Sequence, residues 1–187
     1  MSPDSPFQND LRALIPSPSD VVRVLDVGAG PATTVNKKWP GHEVVITAID
    51  PLGSEYNVLL KKRGVTPPVS TLSYGGEDIS VWLTPNYFDL VHARNSLDHS
   101  EDPVKIIEQM LGAVKPGSCV YLQHAVREAT KQGKQGLHQW DFYADGGHFF
   151  IEGPNVTTNV SLRFEDRANT IVQQEAGWVY VTLWRKP

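Results

Sequence analysis

The sequence predicts an α/β fold, a doubly wound, mostly parallel seven-stranded sheet that ends in a C-terminal antiparallel hairpin. Three observations predict it. Short apolar runs alternate with amphipathic stretches from Val21 to Leu122, which is typical of parallel strands joined by helices. Gly28 and Gly30 directly follow the first apolar run, where such sheets turn sharply around a ligand. Two apolar runs separated only by Ala176-Gly177 close the chain, as in a β-hairpin.

The individual elements follow from the same periodicities. Strands are predicted at 21–27, 43–49, 69–74, 87–92 and 118–124, and the hairpin strands at 169–175 and 178–184. Helices are predicted near 31–38, 54–63 and 103–114, with a short one between Phe7 and Ile15. The intervening stretch is less regular: we expect a loop at 129–139, a strand ending at 148–151, and either a helix or a strand at 155–164.

Length and composition favour one globular domain over residues 1–187. It divides into a short N-terminal segment (1–20), a cofactor-binding core (21–124) and a substrate-side loop with the closing hairpin (125–187). The net charge is −4 and no run of Lys and Arg occurs, which argues against a nucleic-acid partner. No apolar stretch approaches the roughly 20 residues of a membrane span, and the N-terminus lacks signal-peptide features. We therefore expect a cytoplasmic protein without a membrane partner.

Two carboxylates frame the glycine pair. Asp26 precedes it, and Asp50 ends the second apolar run twenty residues past Gly30. A carboxylate at the end of the second strand, where Asp50 stands, can accept hydrogen bonds from ribose hydroxyls. A carboxylate just before the loop would repel a pyrophosphate but suits a cationic amino-acid group. Thr33 stands where dinucleotide-binding loops have a third glycine, which further disfavours a dinucleotide.

These motifs resemble those of class I S-adenosylmethionine-dependent methyltransferases. Asp26-x-Gly28-x-Gly30 resembles the family's first motif, and Phe88–Ala93 is similar to its fourth strand. Lys115-Pro116-Gly117-Ser118 is similar to its "LKPGG" turn into the fifth strand. The resemblance covers residues 21–124. It implies a Rossmann-like methyltransferase fold, S-adenosylmethionine as the cofactor and S-adenosylhomocysteine as the product.

The resemblance also implies positions for the cofactor. The methionine end would be held by Asp26, Gly28, Gly30 and Asn95. Asp50 would bind the ribose, with Pro51 and Leu52 against one face of the adenine. Gly76 and Glu77, after the third strand, would contact the adenine. This segment departs from the family pattern, which has an acid where this chain has Gly75.

The candidate catalytic residues are Asp98, His99, His124 and His138. The loop that follows the fourth strand faces the reactive methyl group in this family, which makes Asp98 or His99 a candidate base. His99 could equally be a packing residue beside Pro103. His124 ends the fifth strand, and His138 lies in an aromatic loop that suits a substrate wall. No metal site is predicted, because these histidines lack a tight ligand spacing.

The function we predict is S-adenosylmethionine-dependent methyl transfer to a small-molecule or sugar-like acceptor. Two alternatives come from other classes of protein. One is a cofactor-binding module without catalysis that needs a partner protein. The other is a nicotinamide-dependent oxidoreductase, against which Asp26, Thr33 and the terminal hairpin argue. The short N-terminal segment also makes a homodimer an expectation.

Overall fold

The computed structural model describes residues 5–187. Its strands are β1 Val21–Val27, β2 Lys38–Trp39, β3 His42–Ile49, β4 Thr71–Leu72, β5 Phe88–Arg94, β6 Val114–Ala125, β7 Asp141–Asp145, β8 His148–Glu152, β9 Thr157–Asn159, β10 Ala168–Glu175 and β11 Trp178–Arg185. Its α-helices are α1 Asn9–Ala13, α2 Gly53–Lys62, α3 Ile79–Trp82, α4 Pro103–Ala113, α5 Glu128–Lys131 and α6 Val160–Arg163. Two 3-10 turns lie at Gly76–Asp78 and Leu97–His99.

The main sheet has eight strands in the order β10-β11-β6-β5-β1-β3-β2, with β4 also paired to β3. Strands β4, β3, β1, β5 and β6 are parallel to one another, whereas β2 is antiparallel to β3. Strand β11 is antiparallel to both β6 and β10. This arrangement confirms the predicted fold class, with the two-residue strand β2 added to the seven predicted strands.

Successive side chains of each strand point to opposite faces of the sheet, and the apolar ones fill two cores, one on each face. One core contains Leu25 of β1 and Val91 of β5, packed against Ile107 of α4. The other contains Val24 of β1 and Leu90 of β5, packed against Leu11 of α1. The predicted coverage of both faces is therefore present, although α1 covers its face with only five residues.

The helix predicted at 31–38 is wrong. Residues 31–37 form no regular element, and Lys38–Trp39 pairs with β3 instead. Side chains take over the hydrogen bonding of this segment: the Thr33 hydroxyl accepts from the Val35 amide, and the Gln8 side chain accepts from the Asn36 amide. A backbone satisfied in this way does not need a helix.

The region between β6 and β10 also differs from the prediction. Strands β7, β8 and β9 form a separate three-stranded antiparallel sheet, where one strand ending at 148–151 was expected. The predicted loop at 129–139 begins inside α5. Residues 155–164 contain both of the open alternatives, strand β9 followed by helix α6. The strand predicted at 69–74 shortens to two residues.

Within residues 5–187, no helix is both long enough and apolar enough to span a bilayer. The predicted cytoplasmic location stays a prediction.

Candidate functional site

The glycine loop turns across the carboxyl end of β3. The amides of Gly28 and Ala29 both donate to the Ile49 carbonyl, at 2.9 and 3.0 Å. Gly28 has a φ of +69°, and a methyl group there would overlap the side chain of Ser96. The loop therefore needs glycine at position 28 for both its conformation and its contact with the turn that follows β5.

Asp50 lies beside this loop at the end of β3. One carboxylate oxygen accepts from the Gly30 amide at 3.1 Å, and the other accepts from the Leu52 amide at 3.0 Å. These bonds fix the carboxylate but leave further acceptor positions on both oxygens. Pro51 and Leu52 are exposed beside it. The structure thus brings the predicted ribose residue and the predicted adenine residues together at the carboxyl edge of the sheet.

Asp26 occupies a more enclosed position. Its Oδ2 accepts from the Thr33 hydroxyl at 2.6 Å, and its Oδ1 lies 2.8 Å from the Nδ1 of His92. The carboxylate is 3% exposed. Both oxygens of this predicted cofactor residue thus have partners within the protein. Sequence reasoning missed His92, because its partnership with Asp26 depends on the register of two parallel strands that are distant in sequence.

Gly76 and Glu77 contact the beginning of α4. Gly76 is buried, and a methyl group there would lie 2.9 Å from the Ile106 side chain. One carboxylate oxygen of Glu77 accepts from the amides of Glu101 and Asp102, at 3.2 and 3.4 Å. Their predicted contact with adenine stays a prediction.

Asn95 links the ends of two neighbouring strands. It has a φ of 47°, and its side-chain oxygen accepts from the Ala125 amide at 3.0 Å. Its backbone amide donates to the Gln123 carbonyl at 2.8 Å. The side-chain oxygen therefore helps to hold β5 against β6. The side-chain NH₂ group remains for the predicted contact with the methionine end.

Three of the four predicted catalytic residues lie together. Asp98 and His99 belong to the 3-10 turn after β5, and His138 reaches them from the loop before β7. The Asp98 carboxylate oxygen Oδ2 is 2.7 Å from Nδ1 of His138 and 3.3 Å from Nε2 of His99. Asp98 is buried, whereas the side chains of His99 and His138 are 40% and 29% exposed. The spacing in sequence gave no sign of this convergence.

His124 lies apart from these residues, in the interior. Its ring stacks on Phe142 with centroids 4.3 Å apart, and neither ring nitrogen has a hydrogen-bond partner. Burial, with a smaller contribution from the charge of His92, lowers the pKa of His124 to about 3. An enclosed, neutral ring cannot reach an acceptor, so this position gives no support to the predicted catalytic role.

A cavity of about 320 Å³ opens on the α1 side of the sheet. Its walls come from α1, the segment after the glycine loop, and strands β5, β6 and β11; they include Gln8, Thr34, His92, Arg94, Gln123 and Tyr180. The guanidinium of Arg94 lies over the ring of Trp178, 5.6 Å from its centroid. The volume suits a small polar molecule.

Comparison with known families identifies the class of protein. A family model described as a methyltransferase domain matches residues 6–166. The chain therefore belongs to the methyltransferase domain family. This membership confirms the predicted class of enzyme, an S-adenosylmethionine-dependent methyltransferase, together with its cofactor, and it argues against the nicotinamide-dependent alternative.

Solved structures share the fold at low sequence identity. The N-methyltransferase NodS from Bradyrhizobium japonicum WM9, in complex with S-adenosyl-L-homocysteine, is 15% identical with a TM-score of 0.57; the match covers 95% of this chain and 85% of that one. The 1,6-didemethyltoxoflavin-N1-methyltransferase from Burkholderia thailandensis, with 1,6-didemethyltoxoflavin and S-adenosylhomocysteine bound, is 15% identical with a TM-score of 0.54; the match covers 95% and 76%. No curated protein matches the sequence significantly.

Proposed function

We propose that this methyltransferase modifies a small-molecule or sugar-like acceptor. When bound, S-adenosylmethionine supplies a methyl group on a sulfonium, which an acceptor oxygen or nitrogen takes by in-line displacement. The carbon–sulfur bond would break as the new bond forms, leaving S-adenosylhomocysteine, and an acceptor hydroxyl or amine would lose its proton to a base or to water. The observation that carries the proposal is the meeting of the glycine loop, Asp50 and the turn after β5 at one edge of the sheet.

The residues at this edge fit the cofactor. A methyl group built at Gly30 would meet no atom within 4 Å, so the space over this part of the loop is open. Asp50 is held by the Gly30 and Leu52 amides in an orientation that leaves acceptor positions for two ribose hydroxyls. Leu52 is 48% exposed and offers an apolar surface to the adenine. In this proposal Asp50 and Leu52 grip the nucleoside, whereas Asp26 acts through Thr33 and the shape of the loop.

The cavity on the α1 side supports a small acceptor. Arg94 is the last residue of β5 and lines the cavity. The turn that follows β5 runs from Asn95 to Asp98. Gln8, Gln123 and Tyr180 offer polar groups that can bind hydroxyls, and Arg94 can bind an anionic substituent. The toxoflavin enzyme that shares this fold acts on a small heterocycle by its name, which is consistent with a small acceptor. Asp98, His99 and His138 do not line this cavity, so in this proposal they would contact the acceptor only where it extends beyond the cavity toward the turn after β5.

Calorimetric titration with S-adenosylmethionine and S-adenosylhomocysteine tests the cofactor part. We expect micromolar binding that Asp50→Ala lowers at least about tenfold, since two charge-assisted hydrogen bonds are lost. Asp145→Ala is the matched control, because Asp145 is an exposed carboxylate at the end of β7. NADH should not bind. Failure to bind either sulfur compound would overturn the proposal.

Turnover on an acceptor separates the proposal from the cofactor-binding module. Incubation with labelled S-adenosylmethionine and mixtures of small hydroxyl and amine compounds should transfer label, and Arg94→Gln should reduce the transfer without changing the cofactor affinity. Cofactor binding with no transfer to any acceptor would favour a module that depends on a partner protein.

A further inference from the structure

Three donor atoms converge on one point in the turn after β5. The Oδ2 atom of Asp98 is 2.7 Å from Nδ1 of His138 and 3.3 Å from Nε2 of His99. The two ring nitrogens are 3.1 Å apart. The ring planes are inclined by 68°, so the two rings approach the carboxylate from different directions. The three atoms form a triangle with sides of 2.7, 3.1 and 3.3 Å.

A triangle of this size matches the ligand face of a metal ion. With bonds of about 2.0 to 2.2 Å, donor atoms are about 3.0 Å apart in an octahedral face and about 3.3 Å apart in a tetrahedron. The triangle therefore needs to change by only a few tenths of an ångström to place all three donors around one ion. Two imidazoles and one carboxylate are the donors that divalent transition metals prefer.

Hydrogen bonds alone do not satisfy the cluster. Two neutral imidazoles and an ionised carboxylate supply at most two protons to this triangle, for three close contacts. The Asp98 carboxylate is 1% exposed, and its second oxygen, Oδ1, has no partner. No Lys or Arg side chain in the range 5–187 forms an ion pair with it. A buried carboxylate needs a positive partner, and a metal ion held by Oδ2 and the two ring nitrogens would supply that charge without a proton on either ring.

The fold holds His138 at the cluster independently of any ion. The amide of Gln139 donates to the Asp98 carbonyl at 3.2 Å, and the indole of Trp140 donates to the Ser100 carbonyl at 2.9 Å. A methyl group at Gly153 would overlap the Trp140 ring, so the indole is enclosed from behind. The loop is thereby fixed to the turn at Asp98 and at Ser100. Preorganised ligands of this kind favour metal binding.

We propose that Asp98, His99 and His138 bind one divalent transition-metal ion such as Zn²⁺ or Co²⁺. Because the side chains of His99 and His138 are 40% and 29% exposed, solvent would reach an ion bound between them, as in catalytic rather than purely structural sites. An oxygen or nitrogen of the acceptor can occupy such a position. This role for the ion rests on the proposed function, whereas the binding itself does not.

Cobalt titration of untagged, chelator-treated protein tests the site in the absence of S-adenosylmethionine. We expect visible ligand-field absorption that saturates at one Co²⁺ per chain, and elemental analysis after Zn²⁺ exchange should give the same stoichiometry. His138→Gln and His99→Gln should each weaken Co²⁺ binding at least about tenfold and change the spectrum. His42→Gln is the control, because His42 contacts the Ser19 carbonyl at the opposite end of β3.

The outcomes separate this inference from the proposed function. Cobalt binding with no affinity for S-adenosylmethionine would retain the metal site and overturn the cofactor assignment. Absence of Co²⁺ and Zn²⁺ binding at micromolar concentrations would overturn the metal site, as would binding that persists unchanged in both ligand variants. Circular dichroism of each variant verifies that it is folded. If His138→Gln unfolds, the His99→Gln variant still provides the test, because His99 is the more exposed of the two.

Discussion

Two clusters in this protein each join a buried carboxylate to histidine, and they differ in how completely the carboxylate is paired. In the inner cluster (Asp26, Thr33 and His92), each carboxylate oxygen has its own partner, and His92 is 2% exposed. In the edge cluster (Asp98, His99 and His138), one oxygen faces both rings and the other has no partner. The first arrangement is complete within the fold. The second has unused ligand capacity and exposed rings, which suits a site that binds something else.

The largest expected effect contrasts the stability of two alanine variants. Asp26→Ala should lower the free energy of unfolding by about 3 to 5 kcal/mol, because it removes one partner of a buried pair. Asp98→Ala should cost less than about 1 kcal/mol, because it removes a poorly paired buried charge and leaves rings that water can reach. Urea unfolding at pH 7 measures both. Equal losses, or the opposite order, would contradict the distinction between the clusters.

The next effect concerns His124, an enclosed histidine that belongs to neither cluster. Its pKa of about 3 lies below the ordinary value of 6.5, so between these pH values the unfolded chain binds a proton that the folded chain does not. Stability should therefore fall as the pH drops below about 6, by about 1.4 kcal/mol per pH unit and about 3 kcal/mol by pH 4.

Urea unfolding at pH 7 and pH 4 measures this loss. The difference between the two pH values should be smaller by about 3 kcal/mol in His124→Leu than in the wild type. His42→Leu serves as the matched control, because it makes the same substitution at a less buried histidine. A wild-type pH dependence that is retained in His124→Leu would contradict the lowering of the His124 pKa by burial.

A smaller effect tests the contact that joins the two clusters. Gly28 follows Asp26 by two residues and contacts Ser96, which precedes Asp98 by two residues. Alanine at Gly28 or Gly30 forces a positive φ on a residue with a side chain, at a cost of about 1 to 2 kcal/mol in each case. Gly28→Ala should lose about 1 to 3 kcal/mol more than Gly30→Ala, because its methyl group overlaps Ser96.

Thermal unfolding of both variants measures that difference. Adding Ser96→Gly to Gly28→Ala should restore much of the extra loss, since the overlapping side chain is then gone. Equal melting temperatures for the two alanine variants would mean that the turn after β5 moves freely away from the glycine loop, and the two clusters would then be mechanically independent.

The smallest expected signal comes from Cys119 on β6, in the same core as Leu90 and Leu11. Burial raises the pKa of its thiol to about 12. A disulfide reagent at pH 8 should therefore label the native protein at least about a hundredfold more slowly than the unfolded protein in urea. Rapid labelling of the native protein would show that the reagent reaches the core on the α1 side of the sheet. The inner cluster could then no longer be regarded as shielded from solvent.

Where the signal is local, the sequence predicted the elements closely. The helix expected at 103–114 spans Pro103–Ala113, with the Asp102 side chain accepting from the Lys105 amide as its N-terminal cap. The hairpin expected at 169–175 and 178–184 spans 168–175 and 178–185. Apolar periodicity, caps and glycine turns act over a few residues, so a single sequence contains them. The same local reasoning failed at 31–38, where the side chains of Thr33 and of the distant Gln8 satisfy backbone amides.

The sequence by itself determined the strands of the main sheet other than β2, the helices α1, α2 and α4, the glycine loop and the acid at the end of β3. Through the glycine loop and this acid it also determined the class of enzyme. Only the tertiary structure decided which polar groups meet. Asp26 and His92 are 66 residues apart, and His99 and His138 are 39 apart. The first pair depends on the register between β1 and β5, and the second on a loop docked by Trp140. Such contacts arise from the packing of distant segments, which no local pattern of residues encodes.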